Sequence, residues 1–170
     1  ITTEQGTCEL HALTHSTHDS VYLQTAATNE SITIKWIPEV PFSSSRRTLD
    51  AGGGPKSKNW DVIRNAPYPV PPKATFGEND GINHCQQILH DHRGETTTTW
   101  KIEGDPTAQQ TLTTSVHHSF PEKNSLQTAT ANLQKSHSEL TSKTYFSSHY
   151  QWWSDYYPQS FLTLDDPEKE

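Results

Sequence analysis

Residues 124–144 read NSLQTATANLQKSHSELTSKT, the stretch of the chain in which a helical period is sustained over about five turns. At about 100° per residue, Leu126, Ala129, Leu133, His137 and Leu140 fall within one arc of about 80°, and Gln127, Thr130, Gln134, Lys135 and Glu139 lie outside it. One apolar stripe has to be buried against another layer. Asn124 followed three residues later by Gln127 has the form of a capping box, which sets the start of the helix. Thr128, Thr130 and Thr141 each cost up to about 0.7 kcal/mol relative to alanine, so this helix does not support itself and needs a sheet beneath it. His137, inside the arc, reads as a boundary histidine bonded to a neighbour.

Working outward, period-two alternation supplies the sheet. Cys8, Leu10 and Ala12 alternate with polar neighbours, as do Val21, Leu23 and Thr25, and the short polar link 15–20 makes the two runs a hairpin. Ile32, Ile34 and Trp36 predict a third antiparallel strand. Trp100 with Ile102, and Leu112 with Thr114 and Val116, give two more, separated by a turn at Gly104-Asp105-Pro106. Between these groups, Ile82, Cys85, Ile88 and Leu89 share one helical face. The preceding Glu78-Asn79-Asp80-Gly81 reads as its cap, and Gly94 as its close. The order predicts an α+β fold: an antiparallel sheet of about five or more strands, with a long C-terminal helix and a short disulfide-linked helix packed on it. The chain reads as a single domain over 1–170, with an exposed loop at about 42–59 and a frayed polar tail at 165–170.

Composition narrows the function classes. Hydrophobic residues make up only 30% of the 170, yet five Trp, six Tyr and five Phe supply large buried area per residue and argue against disorder. The net charge of −7, with no basic cluster beyond Arg46-Arg47, leaves no surface for a nucleic-acid backbone. No apolar run approaches the roughly 18 residues of a membrane span. The chain starts at Ile1 and holds no Met, as a product of signal-peptide removal would. With Cys8, Cys85 and the sequon at Asn29, this predicts an acidic, secreted glycoprotein. A Cys8–Cys85 bridge would add roughly 4 to 5 kcal/mol by the chain-entropy model.

Ten histidines invite a metal or catalytic reading. No segment has a closed ligand set, so no structural metal is expected; the alternative ligands are His15, His18, His90 and His92, with Asp19 beside the first two and His117 or His118 as a third if the strands neighbour, and no HExxH or Cys-pair motif supports the set. His18, Asp19, His90 and Glu95 are the candidate catalytic residues of a secreted metal- or histidine-dependent hydrolase, the alternative function. No G-x-S-x-G is present, and no cofactor is called for.

The leading expectation comes from residues 145–161. They hold Tyr145, Phe146, Tyr150, Trp152, Trp153, Tyr156, Tyr157 and Phe161, half of the chain's aromatics in a tenth of its length. Flat rings give large contact area at low entropy cost. The chain therefore reads as a secreted, effector- or toxin-like binding protein. It recognises an extracellular protein or glycan through Tyr150, Trp152, Trp153, Tyr156 and Tyr157. On a helix, Tyr150, Trp153 and Tyr157 make one row and Trp152 and Tyr156 a second, so one row can be core and the other surface.

Overall fold

The computed structural model describes residues 1–39, 62, 65, 72–89, 94–120, 123–142 and 144–160. The loop expected at 42–59, the tail at 165–170, Arg46-Arg47, His90, His92 and Phe161 lie outside the described residues. Six strands form one sheet: β1 (Thr7–Thr14), β2 (Ser20–Thr28), β3 (Thr75–Asn79), β4 (Ile82–Ile88), β5 (Glu95–Gly104) and β6 (Gln109–His118). Two helices follow, α1 (Ser125–Thr141) and α2 (Thr144–Ser160). The strand order is β1-β2-β6-β5-β4-β3, with every pair antiparallel. The α+β class and the antiparallel sheet are as the sequence predicts; the long helix expected from Asn124 runs over 125–141 but is not the C-terminal one, because the second long helix α2 follows it. Among the described residues, no helix is long and apolar enough to cross a membrane.

Four details differ. The short helix at 82–89 is the strand β4. Asp80 (φ 51°) and Gly81 (φ 73°) both take left-handed backbone, the signature of a two-residue type I′ turn, and they join β3 to β4 as a hairpin. Ile82 and Cys85, three apart, then face opposite sides, and both are buried. Apolar residues on both faces of a covered strand imitate a helical stripe.

The Cys8–Cys85 disulfide is not formed; both cysteines are free. Cys8 sits on β1 and Cys85 on β4, four strand spacings apart. At about 4.8 Å per spacing this is roughly 19 Å, far beyond the roughly 7 Å limit on bridged Cα atoms. Burial pushes the Cys85 thiol pKa up, partly offset by a hydrogen bond with Trp36.

Residues 31–37 do not form a third strand. β6 pairs along β2 from Ser20↔Ser115 to Ala26↔Gln109 and occupies the edge they would need. The segment instead crosses the sheet. The Ile32 N–H donates to the Pro106 carbonyl at 2.9 Å, Trp36 packs on Trp100 with ring centroids 6.2 Å apart, and Gln87 donates to the Glu39 carbonyl at 2.7 Å.

α1 is rotated about its axis from the apolar arc. Its buried residues are Ser125, Ala129, Leu133 and Ser136, while Leu126, His137 and Leu140 are only half-buried. The cause is the sheet face beneath, whose buried residues are Ser20, Thr97, Thr99, Thr113 and Ser115. Hydroxyls meet hydroxyls across the interface: Ser125 Oγ lies 2.6 Å from Thr97 Oγ1, Thr99 donates to the Ala129 carbonyl at 3.1 Å, and Ser136 donates to Ser20 Oγ at 2.8 Å. A buried polar layer of this kind is tolerated because its members satisfy one another. Asn124 makes no side-chain cap bond to the backbone and reaches only the Gln127 side chain, at 3.4 Å.

His137 holds the boundary position expected of it, with Nε2 3.4 Å from Lys101 Nζ and 3.6 Å from Glu103. The hydrogen bond from Lys101 holds the Glu103 carboxyl pKa below its ordinary value; burial opposes it, and the nearby charges of His137 and Lys101 add to the lowering. A depressed carboxyl adds stability above its ordinary pKa and loses it as the pH falls through the lowered one. Glu103 is well exposed, so Glu103→Gln should cost no more than about 1 kcal/mol at neutral pH. Urea melts should show the difference at neutral pH and lose it as the pH falls through the lowered pKa, below which the carboxyl is protonated in both states.

Candidate functional site

The link between β1 and β2 is a tight turn in which the His15 N–H donates to the Ser20 carbonyl at 3.0 Å and the Ser20 N–H to the His18 carbonyl at 2.7 Å. This folds the His15 and His18 imidazoles face to face, with centroids 4.3 Å apart and planes 5° from parallel. The Ser136–Ser20 bond pins the last turns of α1 above the start of β2, which brings Glu139 over the loop. His18 Nε2 lies 3.0 Å from Glu139 Oε1, and His15 Nε2 lies 3.5 Å from Glu139 Oε2. α2 closes the other side. Ser148 Oγ is 3.2 Å from His15 Nε2, the Tyr145 ring meets His15 edge-on at 4.6 Å, and the His149 ring lies 6.3 Å from it.

Burial holds the His15 pKa below its ordinary value. The positive fields of His18, His149 and Lys135 act in the same sense, and Glu139 opposes them. On the far side of the ring, Nδ1 accepts the Thr17 N–H at 3.1 Å, so the resting His15 carries its proton on Nε2 and faces Glu139 with it. Two histidines of the hairpin thus face one carboxylate of α1, and His149 of α2 stands beside His15.

The same turn borders a cleft of about 720 Å³ on the sheet face away from the helices, with Trp36, Val21, Thr98 and Val116 among its walls.

From this cluster the aromatic run climbs along α2. Tyr145 is fully buried and meets Tyr22 and Phe146, and Phe146 meets Tyr22 edge-on at 5.6 Å. His149 is buried and touches Tyr150 and Trp153 with its edge. Beyond it the rings pack chiefly on one another: Trp152 stacks on Tyr156 at 4.9 Å and 9°, Trp153 leans on Tyr157 at 5.3 Å, and Trp152 meets Trp153 at 89°. Tyr150, Tyr156 and Tyr157 are 65%, 46% and 52% exposed, and Trp152 and Trp153 are half-buried. Neither row is core. The buried anchor of α2 is Tyr145 with His149, and both expected rows lie outside it.

The structure brings together His15 and His18 of the candidate metal set. It completes them with Glu139, which the sequence placed outside the apolar arc, and with His149, which stood alone in the sequence. The candidate catalytic set is not assembled among the described residues. His18 pairs with Glu139, Asp19 is exposed and its carbonyl accepts from Ser115 Oγ at 2.7 Å, and Glu95 accepts from Ser125 and Gln86. Neither His117 nor His118 joins the cluster; His118 Nδ1 accepts the Phe120 N–H at 2.9 Å. The signal that could have found the site is the pairing of a two-histidine hairpin turn with the one acidic residue in the second half of α1.

Comparison with known proteins finds no matching family model, no matching curated protein and no matching solved structure.

Proposed function

We propose that the protein is an extracellular interaction module that seats the aromatic ridge of α2 in an apolar groove of a partner protein. The observation that carries this reading is the exposure of Tyr150, Tyr156 and Tyr157 on a helix whose buried anchor, Tyr145 and His149, precedes all three. Two further features favour a protein over a glycan. Several of the ridge's rings stand edge-to-face, with Trp152 and Trp153 at 89° and Trp153 and Tyr156 at 87°. A sugar stacks on a flat, open ring face, whereas relief of this kind fits a groove lined by side chains. The polar residues between the rings are bonded within the helix: Gln151 donates to Asp155 at 2.9 Å, and Gln159 to the Asp155 carbonyl at 3.0 Å. For the extracellular setting, the support is Asn29, the sequon residue, exposed on left-handed backbone just past β2. The free cysteines add nothing to that setting.

The test places a photo-crosslinking residue at position 157 in one preparation and at position 151, on another face of α2, in a second. Crosslinked proteins are identified by mass spectrometry, and a captured protein is purified for titration. The expected result is a protein captured from position 157 alone, whose affinity falls at least about tenfold in Tyr157→Ala and Trp153→Ala while the melting temperature is unchanged. Equal capture from both positions, or an affinity unmoved by both substitutions, overturns the proposal. So does binding to a carbohydrate array with no protein captured.

A further inference from the structure

We propose that His15, His18 and Glu139 form a site for one divalent transition-metal ion of the zinc class, held by two imidazole Nε2 atoms and one carboxylate. The site is separate from the ridge on α2. One ligand atom from each of the three residues lies within 4.8 Å of the others, and the two closest approaches to the carboxylate are 3.0 and 3.5 Å. In a tetrahedral zinc site with bonds of about 2.0–2.1 Å, ligand atoms sit roughly 3.4 Å apart. To reach that spacing His18 Nε2 and Glu139 Oε1 move slightly apart, and any ligand pair near the 4.8 Å bound draws together by about 1 Å.

The opposite edges of the rings fit the same role. A histidine that gives Nε2 to a metal carries its proton on Nδ1 and donates it to a fixed acceptor. Thr17 Oγ1 lies 3.3 Å from His15 Nδ1 and 3.5 Å from His18 Nδ1, so one hydroxyl can accept from either ring. The Thr17 N–H, which His15 Nδ1 accepts in the resting tautomer, belongs to an exposed residue and passes to water.

An independent observation points to something that belongs between these groups. Glu139 Oε2 is buried without a hydrogen-bond partner, and so is Nδ1 of His149, a residue only 8% exposed that stands beside His15. Buried polar atoms in native folds find partners. A bound ion takes the Glu139 oxygen, and a water in the fourth position gives His149 Nδ1 its bond. A donor set of two nitrogens and one oxygen suits zinc, cobalt or nickel; calcium and magnesium take oxygen ligands. The cation joins the β1–β2 turn to the end of α1, residues 121 positions apart in the chain, which is why no sequence spacing announces it.

The experiment titrates chelator-treated, dialysed full-length chain with zinc sulfate by calorimetry and with cobalt chloride by visible absorption. Expected are one zinc per chain, cobalt bands of the intensity that four-coordinate geometry gives, and a melting temperature that rises with zinc. Glu139→Gln and His18→Ala should each weaken binding by at least about tenfold, since each removes a direct ligand. The combined His11→Ala and His118→Ala variant should bind as the parent does. Glu139→Gln keeps the shape of the side chain, so circular dichroism of that variant separates loss of a ligand from loss of the fold. No saturable binding, or binding that survives both ligand substitutions or disappears with His11 and His118, overturns the proposal.

Discussion

Replacing Tyr145 with alanine should lower the stability of the fold by about 3–5 kcal/mol, the range for a large buried ring. Tyr145 has no exposed surface, and its ring meets His15 edge-on at 4.6 Å and lies 6.0 Å from Tyr22 and 5.8 Å from Phe146. It is the first buried residue of α2 and sits beside the turn that leaves α1, so its ring is the wedge that sets α2 against the β1–β2 hairpin. A loss of that size is a large part of the 5–15 kcal/mol that holds a domain together. Tyr145→Phe separates the ring from its hydroxyl. Burial raises the phenol pKa and the nearby Ser20 hydroxyl acts in the opposite sense; the phenol oxygen makes no bond of full hydrogen-bond geometry, so this change should cost less than about 1 kcal/mol. Urea unfolding followed by tryptophan fluorescence, with five Trp as probes, measures both. A Tyr145→Ala cost below about 1 kcal/mol would mean that α2 is held by something other than this ring.

What could be read in the chain depended on whether a local pattern had one cause or two. Strands β1, β2, β5 and β6 alternate cleanly because each has one face more apolar than the other, and the β1–β2 and β5–β6 pairings need only short turns. β4 failed the same test because it is covered on both sides. Ile82 and Cys85 are then both apolar three residues apart, and the pattern matches a helix as well as a strand. The deciding signal was Asp80-Gly81, a dipeptide suited to the left-handed pair of a type I′ turn, which reads as a hairpin in any context that lets a strand follow. The missing strand at 31–37 has a different cause. Its alternation is real, but the edge it would pair with is taken by β6, from about eighty residues away, and no local pattern reports that competition.

The cluster of histidines was half legible. His15 and His18, three apart in a short hairpin link, were singled out from the sequence, and the turn does fold them together. Glu139 does not stand out in the sequence, because a carboxylate outside the apolar arc of a helix is ordinarily a solvated residue. It is brought inward by the rotation of α1, and that rotation follows from serines. Ser125 and Ser136 weigh as polar in any hydropathy pattern, yet both are fully buried, because the sheet beneath offers threonine and serine hydroxyls at the right height. A polar residue whose partner lies elsewhere in the chain cannot be told from a surface residue by its own neighbours.

That mixed interface makes an opposed pair of substitutions informative. Leu133→Ala should lower stability by about 2–5 kcal/mol, because Leu133 is fully buried between α1 and the sheet and its removal leaves a cavity. Ser136→Ala should cost only about 1 kcal/mol, the value of one neutral hydrogen bond, increased if Ser20 is left unpaired. The ratio tests which part of the layer supplies the energy. If burial dominates, leucine exceeds serine severalfold, and the hydroxyls serve to fix the rotation of α1 that carries Glu139 to the hairpin. The rotation has its own readout: in Ser136→Ala the distance between spin labels at Gln134 and Thr17, both exposed, should shift or broaden, while Leu133→Ala, measured below its melting transition, should leave that distance in place. Equal costs, with both distances unchanged, would mean that the serine bond acts as one more packing contact and that something else holds Glu139 over the two histidines.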